Sequence, residues 1–256
     1  MYACVKPKSL VAILLLLFAS CLAPAVFIPS AHASKAADGI AFLHQEMPVN
    51  YCALTFDDGP GPYTAALLDL LSERCIAATF FVLGQNAERR PELIKRMLAE
   101  GHEVGNHSYS HADMRRLQPE EQLQEMRKTQ KTLKALGAEA LFFRPPYGSY
   151  TQDTVEMAQD LGMTIMLWSM DSKDWKRHVS LLEELRSSPS DAPRSFGLRG
   201  VLLFHDTHRR TVDEIPDIID ALIDAGCENF VTVSEYMAKI QQEERLHATT
   251  SAATWK

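Results

Sequence analysis

Seven short apolar runs recur along the chain, at 51–56, 76–83, 102–106, 140–143, 163–168, 200–204 and 229–233, most of them separated by stretches with helical spacing. Runs of this length that stop at turn-forming residues read as strands buried on both faces. Between them, Pro91 opens a helix whose apolar face is Leu93, Met97 and Leu98, with Gly101 as its stop. Pro119 opens another, with Leu123, Met126, Leu133 and Leu136 in line before Gly137. A third is expected from about Thr211 to Ala225, with Thr211 and Glu214 as a capping box. Such alternation produces parallel strands joined by right-handed crossovers. The expected fold is therefore α/β, a single-domain distorted (β/α) barrel of about seven parallel strands, TIM-like, with a doubly wound open sheet as the alternative.

The chain divides into four stretches. Residues 1–33 read as a signal peptide, with Lys6 and Lys8 as a basic start, an apolar core from Leu10 to Ala19, and Ala31-His32-Ala33 as a cleavage site. An uncleaved membrane anchor is the alternative, because the apolar stretch extends to Ile28. Residues 34–49 read as an N-terminal extension, 50–240 as the folded domain and 241–256 as a flexible tail. Within the domain, 176–199 is less regular, with a short helix around Leu181 to Leu185 followed by a Ser/Pro-rich loop. The expectation is an exported protein: periplasmic, cell-wall-associated or secreted, and tied to a membrane only through an uncleaved leader.

Net charge is −7, and −9 once the two leader lysines are gone, which argues against nucleic acid as a partner. Cys52, Cys75 and Cys227 remain outside the leader, at the N-terminal ends of predicted strands, in a spacing that fits no zinc cluster. Either a disulfide among them or simple burial as small apolar residues accounts for them.

The chemistry-bearing residues follow the apolar runs. The first delivers Asp57 and Asp58 ahead of Gly59-Pro60-Gly61-Pro62; the third, His107 and His111; the fourth, Arg144 and Pro145-Pro146-Tyr147; the fifth, Asp171, Asp174 and Trp175; the sixth, His205 and Asp206. In a parallel barrel these positions share one face, the C-terminal ends of the strands, where active sites are built. Neighbouring residues at a strand end point different ways, so the two aspartates occupy different environments. Two histidines four apart would share one side of a helical turn, and with Asp58 they make a His, His, carboxylate set that leaves coordination positions open.

Thr55-Phe56-Asp57-Asp58-Gly59-Pro60, His107-x-x-x-His111, Arg144-Pro145-Pro146-Tyr147, Asp171-x-x-Asp174-Trp175 and Leu203-Phe204-His205 together resemble the five motifs of the NodB-homology polysaccharide deacetylases, carbohydrate esterase family 4. The resemblance spans roughly residues 50–236 and implies a hydrolytic N-deacetylase of an N-acetylglucosamine-containing polysaccharide. It implies that Asp58, His107 and His111 hold a divalent metal, zinc or else Co2+ or a similar ion. Asp57 would be the general base, held as an anion by Arg144, and the Tyr147 backbone N–H would stabilise the oxyanion. His205, partnered by Asp174, would protonate the leaving amine, while Trp175 and Leu203 would wall a pocket for the acetyl methyl. The partner would be an acetylated glycan polymer or oligomer, such as peptidoglycan, chitin-type glycan or poly-N-acetylglucosamine. An O-acetyl glycan esterase or a small-amide C–N hydrolase on the same site is the alternative, and a zinc-containing carbohydrate-binding protein the non-enzymatic one. His44, His102, His178, His208 and His247 match no motif and read as structural or solvated.

Overall fold

The computed structural model describes residues 40–41, 50–176, 180–187 and 200–253. The expected leader, most of the 34–49 extension and the Ser/Pro-rich loop after Ser187 lie outside the described residues. In chain order the elements are β1 (Ile40–Ala41), β2 (Tyr51–Asp57), α1 (Thr64–Arg74), β3 (Thr79–Val82), α2 (Gly84–Arg89), α3 (Pro91–Ala99), β4 (Glu103–Asn106), α4 (Pro119–Ala135), β5 (Phe142–Phe143), α5 (Gln152–Asp160), β6 (Thr164–Met166), β7 (Met170–Asp171), α6 (Leu181–Ser187), β8 (Gly200–His205), α7 (Arg209–Asp224), β9 (Asn229–Phe230) and α8 (Val233–Ala253).

Each apolar run supplies a strand, and two short strands outside them, β1 and β7, join the sheet. The strand order is β1-β6-β5-β4-β3-β2-β8-β7, with β9 also on β2. All of these pairings are parallel. β6 and β7 lie near opposite ends of this path, yet only Leu167, Trp168 and Ser169 separate them. A link this short spans at most about 14 Å, so the sheet must curl until its ends nearly meet. Ser169 completes that approach: its backbone N–H donates to Val201 O at 2.9 Å, and its hydroxyl accepts from Val201 N at 2.8 Å. The distorted barrel is confirmed, with an open seam among the described residues.

Alternation along the strands then separates the inner and outer faces of the wall, and a third cluster gathers Met126, Phe143, Val155 and Ile165. Leu54 and Phe56 of β2, Phe80 and Val82 of β3, and Leu202 and Phe204 of β8 pack outward against Leu67, Leu68, Ile215 and Ile219 of α1 and α7. Ala53, Phe81, Met166 and Val201 pack with Val233 and Tyr236 of α8 in a second cluster. Burying each of these larger side chains contributes about 1.5–3 kcal/mol, so the barrel wall is held from both sides. Cys52 and Cys227 form a disulfide across 175 residues of sequence, settling their part of the cysteine question.

Three local expectations change. α7 starts at Arg209 with His208 as its N-cap, and no side-chain cap bond forms there. Thr211 lies inside the helix, and its hydroxyl donates to Asp174 instead of capping. α8 continues to Ala253, past the position near 240 where a flexible tail was expected.

Candidate active site

Thr55 and Asp57 lie two apart on β2 and share the face opposite Phe56, so both meet Arg144, which follows β5. Arg144 Nη1 donates to Thr55 Oγ1 at 2.7 Å and to Asp57 Oδ1 at 2.8 Å. Its Nε donates to Met166 O at 3.1 Å and its Nη2 to Leu167 O at 2.9 Å. The Phe81 ring lies 3.9 Å from the guanidinium carbon. Burial pushes Arg144 below the usual guanidinium value, with the Asp57 charge and hydrogen bond acting against it.

Asp58 leaves the strand with φ 73°, a left-handed conformation that aspartate tolerates better than most residues, so its carboxylate departs from the alternation. Asn86 holds its carbonyl, with Nδ2 donating at 2.8 Å. The Gly59 that follows must lack a side chain, because a Cβ there would run into the Asp206 carboxylate. Asp206 itself takes the Thr64 hydroxyl, and burial raises its pKa to about 7.

Asp58 Oδ1 lies 3.4 Å from His107 Nε2 and 3.1 Å from His111 Nε2, and it is buried without a protein hydrogen-bond partner. The histidines are not on a helical turn. They sit in a loop after β4 in which Ser108 and His111 have positive φ, and Glu125 of α4 accepts from Tyr109 N and Ser110 N. The other ring nitrogens are engaged: His107 Nδ1 on Arg144 O at 2.7 Å and His111 Nδ1 on Tyr147 Oη at 3.2 Å. That arrangement turns both Nε2 atoms toward Asp58, as metal-binding imidazoles require. Burial raises the Asp58 pKa, but the close imidazoles of His107 and His111 outweigh it and hold the carboxyl well below the usual range. The donor set and the unpartnered Oδ1 fit a divalent cation.

His205, at the end of β8, pairs with Asp174 and not with the adjacent Asp206: Nδ1 lies 2.6 Å from Asp174 Oδ1. Asp174 also accepts from His205 N at 2.7 Å and Thr211 Oγ1 at 2.6 Å. Burial alone would lower the imidazole, but the Asp174 hydrogen bond and charge, helped by Asp57 and Asp58, raise it to about 9.

Asp57, Asp58, His107, His111 and His205 line one cleft of about 480 Å³, with Tyr147, Trp175 and Leu203 at its walls, while Arg144 and Asp174 hold Asp57 and His205 from outside that lining. Leu203 is 4% exposed and Trp175 56%, so the first is part of the packed wall and the second stands free of the core. The structure gives four residues roles that the sequence reading did not assign, including His208, which had read as structural or solvated. Trp168 and His208 line the cleft, while Thr55 and Thr211 hold Arg144 and Asp174 from behind. Proximity to His205 was the available signal for His208; nothing in the spacing pointed to Thr211. His102 is structural as expected, buried with Nδ1 accepting from Ala78 N.

A family model described as polysaccharide deacetylase matches residues 44–166. A peptidoglycan-N-acetylglucosamine deacetylase of Bacillus cereus is 34% identical over 193 residues, covering 73% of this chain and 70% of that protein. The chain belongs to the polysaccharide deacetylase family. Another relative in this family, the peptidoglycan-N-acetylmuramic acid deacetylase PdaC of Bacillus subtilis, is 37% identical over 196 residues, covering 75% of this chain. The chain spans 40% of that protein's length. The solved structure of PdaC superposes with a TM-score of 0.67 at 35% identity, covering 78% of this chain and 96% of the solved one. The five polysaccharide deacetylase motifs, scattered from Thr55 to His205, thus meet in one cleft.

Proposed function

We propose that this chain is an exported, metal-dependent N-deacetylase of N-acetylglucosamine-containing polysaccharide, releasing acetate. One observation carries the reading: Asp57, the Asp58–His107–His111 set and His205 line the same cleft, with Arg144 paired to Asp57 and Asp174 to His205. A binding protein needs a surface for sugar; it has no use for a proton acceptor, a cation site and a proton donor around one small space.

Asp58, His107 and His111 would hold the cation, and imidazole with carboxylate donors suit zinc. When bound, the cation supplies Lewis acidity to the acetyl carbonyl and to the attacking water. Arg144 occupies Asp57 Oδ1, while Oδ2 faces His107 Nε2 at 3.7 Å, on the side of the cation ligands. Asp57 Oδ2 would therefore take the water's proton. The Tyr147 backbone N–H would donate to the developing oxyanion. His205 is cationic at neutral pH, with Nδ1–H committed to Asp174, and would deliver the Nε2 proton to the departing amine. Trp175 and Leu203 would flank the acetyl methyl.

The export assignment rests on the leader-like residues 1–33. Among the described residues no helix is long and apolar enough to cross a membrane. The test is acetate release from chitooligosaccharides, poly-N-acetylglucosamine and peptidoglycan, with zinc and after chelation. Zinc-dependent release from at least one is expected; a zinc-loaded protein inert on all three overturns the reading.

A further inference from the structure

We propose that Asp174, His205 and His208 form a second divalent-cation site whose occupation switches the enzyme off. The inference rests on the reading of His205 as the proton donor, and it adds a regulatory site to that reading.

One nitrogen of each imidazole and one Asp174 oxygen lie within 4.8 Å of one another. This is the same donor chemistry as the Asp58–His107–His111 set: two imidazoles and one carboxylate. His208 is brought there by the fold. β8 ends at His205, and the chain turns at once into α7 with His208 as its N-cap, which leaves the two rings 5.8 Å apart between centroids. His208 also lines the neighbouring cleft with Trp175 and Arg209, so an ion has an approach that does not pass the first site.

Occupation has one consequence whichever His205 nitrogen is used. A cation on Nδ1 displaces the proton shared with Asp174, so the ring is no longer an imidazolium and its Nε2–H becomes too weak an acid to serve the amine. A cation on Nε2 takes the atom that must carry a proton to the leaving amine. Binding releases the proton to solvent in either case, and catalysis stops for want of a donor. Both Asp174 oxygens are already hydrogen-bonded, whereas Asp58 Oδ1 has no protein partner, so the second site is weaker than the first. The dose response to zinc should therefore rise through the first equivalent and fall through the second.

The experiment is a zinc titration of the metal-free full chain by calorimetry, repeated with His208→Gln and His208→Asn, with acetate release followed in parallel. The wild type is expected to bind two ions, the weaker coinciding with loss of turnover. In both variants the weaker binding and the inhibition midpoint should move together to at least about tenfold higher zinc, since loss even of an outer-sphere partner costs that much. Each rate is normalised to the same protein's rate at one equivalent. A single binding event at all zinc concentrations, or a second event unmoved in both variants, overturns the proposal. Failure to release acetate at one equivalent overturns the deacetylase reading instead, while calorimetry still reports whether the second ion binds.

Discussion

Arg144 meets Asp57 inside the barrel wall, Nη1 to Oδ1 at 2.8 Å, with both side chains buried. Nη1 also donates to Thr55, while Nε and Nη2 hold the carbonyls of Met166 and Leu167, the residues that carry the chain from β6 toward β7. One side chain thus fixes the position of Asp57 and ties together the strands that curl the sheet.

Replacing Arg144 should accordingly affect folding as well as activity. Arg144→Ala leaves a buried carboxylate and two carbonyls unpaired, and breaking such a buried pair costs about 3–5 kcal/mol. Urea unfolding is expected to register that loss. Arg144→Lys should remain impaired, because an ammonium cannot reproduce the planar fork.

His205 predicts the alkaline limb. Its folded pKa is about 9 against an ordinary value of 6.5. The stabilisation it brings is therefore complete below about pH 6.5 and lost as pH rises through about 9. The proton donor is lost over the same window. A profile of kcat/KM should fall with an apparent pKa near 9. In Asp174→Asn, which removes the main raising interaction, the limb should move acidward. An unmoved limb would assign it to another group.

Thr211 offers a test away from the cleft. Its buried hydroxyl donates to Asp174 Oδ2 at 2.6 Å. Thr211→Val should lower stability by about 1–3 kcal/mol, the cost of leaving a buried acceptor short of a donor. Thr211→Ser should restore most of it.

Much of this was legible because burial on both faces makes parallel strands read as continuous apolar runs, as at Tyr51–Asp57 and Thr79–Val82. Strand ends then located Asp57, Asp58, Arg144 and His205 on one face. What sequence could not show was conformation without periodicity. The loop carrying His107 and His111 depends on positive φ and on Glu125, and it satisfies the four-residue spacing without a helix. β7 is two residues long and is defined only by pairing with β8. Thr211 had the pattern of a cap, but tertiary contact with Asp174 used its hydroxyl first.

The Cys52–Cys227 disulfide closes a separation of 175 residues, and Cys52 sits near the start of β2, at the end remote from Asp57. Chain entropy assigns such a link roughly 5 kcal/mol. The Cys52→Ala/Cys227→Ala pair should unfold at markedly lower denaturant while retaining turnover under folding conditions. A loss of turnover in a fully folded double variant would contradict this separation of stability from chemistry.

Two adjacent aspartates do different work, and the sharpest test compares Asp57→Asn with Asp58→Asn for zinc content and acetate release. Asp57→Asn is expected to keep its zinc and lose about 10²–10⁴ in turnover, the usual cost of removing a general base. Asp58→Asn is expected to lose zinc, with activity partly recovered at high zinc. Equal loss of zinc in the two variants, or full turnover in Asp57→Asn, would contradict the division of labour.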